Sequence, residues 1–172
     1  MPRPLAGLPC AWIVAAVLLA AVTPGGVASV WADDGPGNRA TLKGISAVKI
    51  VVAPTILDAQ WDRLRSDQIE TDVERQLREA GIAVLPSSDE VLYIVVEAKQ
   101  TGASAQYACS ARVELLQPVG LVRDAGRTVF APTWGLGRTE VVNANNPSSL
   151  RATVGELVDR FIRAYREQNP TR

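Results

Sequence analysis

The stretch Asp67–Pro86, DQIETDVERQLREAGIAVLP, decides how this chain folds. Ile69, Val73, Leu77 and Ala80 fall at i, i+4, i+8 and i+11, which gives a helix one apolar face. Arg75, Arg78 and Glu79 take the solvated face. Asp67 is placed to cap the helix, with Glu70 three residues on in a capping-box pattern. Gly81 stands where a helix commonly ends in the left-handed region. Ile82–Leu85 then reads as a short strand that Pro86 stops.

Working outward, Val48, Ile50 and Val52 alternate with Ala47, Lys49 and Val51, so a first strand is expected over 47–54, ended by Pro54. Strand, helix and strand in that short a space form a crossover unit, whose two strands run parallel in one sheet. Downstream, Val91–Lys99 predicts a long strand with Leu92, Ile94, Val96 and Ala98 on its inner face. Val91, Tyr93, Val95, Glu97 and Lys99 take the outer face. Thr101-Gly102 turns the chain into a fourth strand over 106–117. There Cys109, Ala111, Val113 and Leu115 alternate with Ser110, Arg112 and Glu114, as in an antiparallel meander with one wet face. A turn is expected at Asp124-Ala125-Gly126, and a fifth strand from about Arg127 that glycines interrupt at Trp134–Gly137.

The last element is a helix with Asn146 as N-cap and Pro147 at its first position. Leu150, Val154, Leu157, Val158, Phe161 and Tyr165 trace its apolar stripe, and Asn169-Pro170 closes it. The order βαβββα implies an α/β (α+β) two-layer sandwich. Its sheet is mixed, mostly antiparallel and five-stranded, with two helices on one face. The domain is expected over 46–170, preceded by a disordered, polar, Gly-rich lead-in at 33–45.

The first 32 residues read as a cleavable signal peptide. Arg3 supplies the positive start, and Ala11–Val22 is an apolar run of about 12 residues, within the signal range. As a helix that run reaches roughly 18 Å, short of a hydrocarbon core of about 30 Å. A stable membrane span after processing is therefore not expected. Val30-Trp31-Ala32 offers small residues for cleavage after Ala32, with Ala28 the second choice. The product is expected in the periplasm or outside the cell.

Of the 172 residues, 47% are hydrophobic and 21% charged, a one-domain globular composition. Basic and acidic residues number 18 each, which lacks the cationic excess a nucleic-acid binder or a polybasic membrane anchor needs. Histidine is absent, so the commonest general base and the commonest metal ligand are missing. Past the leader only Cys109 remains; in an apolar strand it reads as a small buried hydrophobe, with pairing between chains the alternative.

The remaining chemistries fare no better. Gly135-Leu136-Gly137-Arg138 lacks the third glycine and the Lys-Ser/Thr of a phosphate loop. Serines fall at turns and caps, and the acidic pairs Asp33-Asp34, Asp58/Asp62 and Asp89-Glu90 lie in polar loops with nothing apolar to raise one pKa. No catalytic residue, cofactor or metal site is expected.

Aromatics carry more information. Tyr93, with Val91, Val95 and Arg112 on the outer sheet face, forms a candidate interaction surface. Trp134 either joins it or plugs the core, and Phe130, Pro132 and Leu136 share its parity. Trp61 is expected over the helix entrance.

The stretches Asp72-Val73-Glu74 with Leu77-Arg78 and Ala80-Gly81-Ile82, Leu92–Val96, Arg112–Leu115 with Gln117-Pro118-Val119, Ala131–Trp134, Leu157-Val158 with Phe161, and Tyr165 with Asn169-Pro170 resemble a family of exported bacterial hypothetical proteins. That resemblance carries no assigned activity. In topology alone, βαβββα is similar to the N-terminal accessory domains of TolB-type proteins, which implies protein contact. The expected function is thus a non-enzymatic interaction or accessory domain with another envelope protein as partner. The alternative is a module binding a small apolar or amphiphilic ligand, between sheet and helices or in a groove by Trp134.

Overall fold

The computed structural model describes residues 32–53, 65–102, 106–143, 146 and 148–170. Its elements in chain order are α1 (Pro36–Ala40), β1 (Ala47–Val52), α2 (Ser66–Glu79), β2 (Ala83–Val84), β3 (Val91–Gln100), β4 (Gln106–Leu121), β5 (Asp124–Asn143) and α3 (Ser148–Gln168). The strands form one five-stranded sheet in the order β2-β1-β3-β4-β5. β1 runs parallel to both β2 and β3, while β3–β4 and β4–β5 are long antiparallel pairs. The mixed α+β sandwich read from the sequence is the fold.

The helical stripes make the second layer. Ile69, Val73 and Leu77 of α2 are buried with Val48 and Ile50 of β1, and Leu150, Val154, Leu157, Val158 and Phe161 of α3 are buried with Leu92, Ile94, Cys109, Val113 and Leu115. Fully burying a Leu, Ile, Val or Phe side chain stabilises by about 1.5–3 kcal/mol, so these stripes supply most of what holds the helices down. The two helices also bond each other: Gln76 Nε2 donates to the carbonyl of Gly155 at 3.1 Å, and Arg151 pairs with Asp72.

Several local expectations are corrected. The lead-in at 33–45 is ordered structure: it holds α1, and Leu42 is wholly buried. Pro36 starts this helix where its missing N–H costs nothing. Long-range bonds then fix it, Arg39 to Glu167 at 2.7 Å and Asn169 Nδ2 to the carbonyl of Leu42 at 2.8 Å. Among the described residues three helices, not two, therefore accompany the sheet. Asp67 is not the N-cap, a place taken by Arg65 without a side-chain bond; Asp67 lies in the first turn, paired with Arg65 at 2.7 Å. Gly81 does end α2 in the left-handed region, at φ 82°. Asn146 stands just before α3, but its side-chain oxygen accepts from Ser148 Oγ at 2.8 Å instead of from a backbone N–H. Pro54, Trp61, Asp58, Asp62, Pro147 and all of the leader except its last residue, Ala32, lie outside the described residues.

The hairpin between β4 and β5 turns at Val122-Arg123, ahead of the expected Asp124–Gly126, and an irregularity follows where Gly120 pairs Thr128 but Leu121 pairs Asp124. A second register shift sets Leu115 opposite Trp134 and Leu116 opposite Pro132, leaving Thr133 as the extra residue. One extra residue reverses which face each later side chain takes. Phe130 and Pro132 thus share the parity of Trp134 in sequence but not its face: Phe130 is 58% exposed and Trp134 is buried at 0%.

Candidate interaction surface

Strand alternation builds the surface. Because Leu92, Ile94 and Val96 are buried beneath the helices, Val91, Tyr93 and Val95 point to the opposite, outer face of the sheet. The register brings their neighbours. Tyr93 lies between Val51 of β1 and Glu114 of β4, Val95 opposite Arg112, and Val91 opposite Leu116. Four of the five expected surface residues (Val91, Tyr93, Val95 and Arg112) therefore come together, all half-buried. Arg112 approaches Glu114 at 3.9 Å on the same face.

Trp134 is the exception. It sits on the inner face, its ring 5.2 Å from that of Phe161 in an edge-on arrangement. The indole N–H donates to Asp34 Oδ1 at 2.9 Å. A wholly buried tryptophan cannot anchor a partner, so its place as a surface residue is withdrawn.

Asp34 also departs from the wet-loop reading. Its side chain is only 10% exposed and accepts from Arg39 Nε at 2.8 Å, from Arg39 Nη2 at 2.7 Å and from Arg160 at 3.3 Å besides the indole. Burial alone pushes its carboxyl up; the hydrogen bonds from Arg39 and Trp134 and the charges of Arg39 and Arg160 outweigh that and hold it below the usual range. Such a carboxylate is a structural clamp, the reverse of a general acid. The clamp lays Ala32–Asp34 across the β5 edge, where a Cβ added to Gly135 would meet the Ala32 carbonyl oxygen at 2.9 Å. No local pattern announces this bond, which spans 100 positions.

Two shallow concavities lie on the outer face. One of about 550 Å³ is lined by Glu97, Lys99, Ala108, Ser110 and Thr139, with Ala98 and Cys109 contributing. Ser110 Oγ donates to Glu97 at 3.1 Å within it. The other, of about 230 Å³, lies beside the clamp between Asp33, Arg112, Glu114 and Gly137. Cys109 is buried, and burial, aided by the charge of Glu140, pushes its thiol up, away from the reactive thiolate form. Among the described residues no group of His, Cys, Asp and Glu is arranged to hold a metal ion. No described helix is long and apolar enough to cross a membrane.

No family model matches the chain, and no curated protein matches it. Among solved structures it is similar to the PelC dodecamer from Paraburkholderia phytofirmans, at 17% identity over 70% of this chain and 87% of that one, with a TM-score of 0.41. A superposition that loose carries no argument about function.

Proposed function

We propose that this chain is an exported, non-enzymatic interaction domain of the bacterial cell envelope that docks another protein on the outer face of its sheet. One observation carries the reading: both long helices pack on the same side, leaving Val91, Tyr93, Val95 and Leu116 half-exposed in one patch, with Arg112 at its end opposite Val95. An aromatic ring amid branched aliphatics, rimmed by charge, is the usual make-up of a protein contact. The leader pattern and the missing histidine support export and a non-catalytic role. The sheet–helix interface, where the apolar-ligand alternative would place its guest, is occupied by Trp134, Tyr107, Phe161 and their neighbours.

Site-specific photo-crosslinking in living cells tests this. The full-length chain carries p-benzoylphenylalanine in place of Tyr93 or, as control, of Arg75 on the exposed face of α2. A discrete heavier species containing a second protein is expected from the Tyr93 position alone. Identical products from both positions, or none from either, would overturn the reading.

A further inference from the structure

β5 is an edge strand: β4 pairs with one side of it, and among the described residues no strand pairs with the other. An open edge is a template for a further strand, and proteins usually block it. Much of this edge is blocked. Pro132 has no N–H to offer, and the extra residue Thr133 interrupts the ladder beside it. Beside Gly135 the strap is clamped against the strand through Asp34, which accepts from the Trp134 indole. At the other end the strand stops at Asn143. What remains is Leu136–Val142, whose middle residue is Thr139.

That window is complementary to itself. Setting two copies antiparallel about a two-fold axis at Thr139 places Arg138 opposite the partner's Glu140, Gly137 opposite the partner's Val141, and Leu136 opposite the partner's Val142. Each match occurs twice by symmetry, as an isologous contact requires. On the inner face the pairs are oppositely charged or both apolar. On the outer face Val141, 67% exposed, comes beside a glycine with no side chain to clash, and threonine meets threonine across the axis. The oppositely charged and Thr–Thr pairs are favourable between neighbouring strands. In the single chain Arg138 reaches Glu156 at 2.5 Å and Glu140 accepts from Thr153 Oγ1 at 2.8 Å. Both side chains are thus already held at the rim, with Arg138 half-exposed.

We propose that the chain pairs with a second copy of itself along Leu136–Val142 of β5, joining two sheets into one across an axis at Thr139. This edge is separate from the Tyr93 face, so the two proposals stand or fall independently.

Cysteine crosslinking of the full chain, as recovered from cells, reads the register directly. Residues facing each other across an antiparallel ladder have Cα atoms about 4.5–5.5 Å apart, within disulfide reach. Thr139→Cys is therefore expected to form a covalent dimer under mild oxidation. Val141→Cys is not, because its two copies lie about 14 Å apart, four residues out of step at about 3.4 Å each. Buried Cys109 is common to both variants and to the wild type, which sets the background. Sedimentation equilibrium of the wild type should show a dimer. Arg138→Glu, which faces like charges at two places, should weaken it about tenfold. Combining Arg138→Glu with Glu140→Arg should restore it. A wild type that stays monomeric at every concentration, or Val141→Cys crosslinking as readily as Thr139→Cys, overturns the proposal. Failure of the charge swap to restore what Arg138→Glu loses does the same.

Discussion

Replacing Asp34 by alanine removes the acceptor that four donor groups share, and the structure sets the size of the effect. The Trp134 indole N–H lies in a wholly buried side chain and its described partner is Asp34. Orphaning it costs about 1–3 kcal/mol. The arginines contribute less, because Arg39 and Arg160 side chains are 34% and 47% exposed and water can replace their partner. Exposed pairs of that kind are worth about 0–1 kcal/mol. Asp34→Ala should therefore lower stability at pH 7 by roughly 2–3 kcal/mol, with the indole bond dominating. Asp34→Asn keeps a neutral acceptor for the indole and should lose about 1 kcal/mol. Urea unfolding followed by far-ultraviolet circular dichroism measures both. Because the folded state holds this carboxyl below its unfolded value of about 3.9, the stabilisation is present above that pH and lost as pH falls through the lower, folded value. The gap between wild type and Asp34→Asn should thus narrow below about pH 4. In a Trp134→Phe background Asp34→Ala should cost less, which isolates the indole bond. A loss under about 0.5 kcal/mol in the otherwise unaltered protein would refute the clamp, since surface changes alone reach that size.

Two further outcomes follow from the core. Phe161 is wholly buried, with its ring against Trp134 and Tyr165, so Phe161→Ala should cost about 3–5 kcal/mol by the same urea assay, and an unmoved midpoint would count against the packing. Cys109, buried and with its thiol pushed up, should react with a thiol reagent only as fast as the fold opens; stoichiometric labelling within seconds in native buffer would contradict its burial.

What could be read in advance was whatever repeats at short range. The stripes of α2 and α3 express a period of 3.6 and the alternation in β3 and β4 a period of 2, and these, like the left-handed glycine after α2, are where the sequence put them. The outer-face cluster followed, because alternation alone assigns Val91, Tyr93 and Val95 to one side. The losses have a different origin. α1 is too short for a stripe, and bonds from the distant end of the chain hold it. Trp134 could not be placed because one extra residue at Thr133 reverses the parity on which Phe130 and Pro132 were matched to it. Asp34 looked solvated because its partners stand far away in sequence.

Those distant bonds also fix when the protein can finish folding. Asn169 bonds Leu42 and Gly44, Tyr165 bonds the carbonyl of Ile45, and Glu167 holds Arg39, so the earliest described segment is buttoned to the last turn of α3. Contacts that far apart close late, after the loop between them has been ordered. While the polypeptide is being synthesised, β1 can already pair with β2 and β3, but the segment around α1 lacks these partners until α3 has emerged. The lead-in to the sheet is therefore fastened down only once α3 is in place.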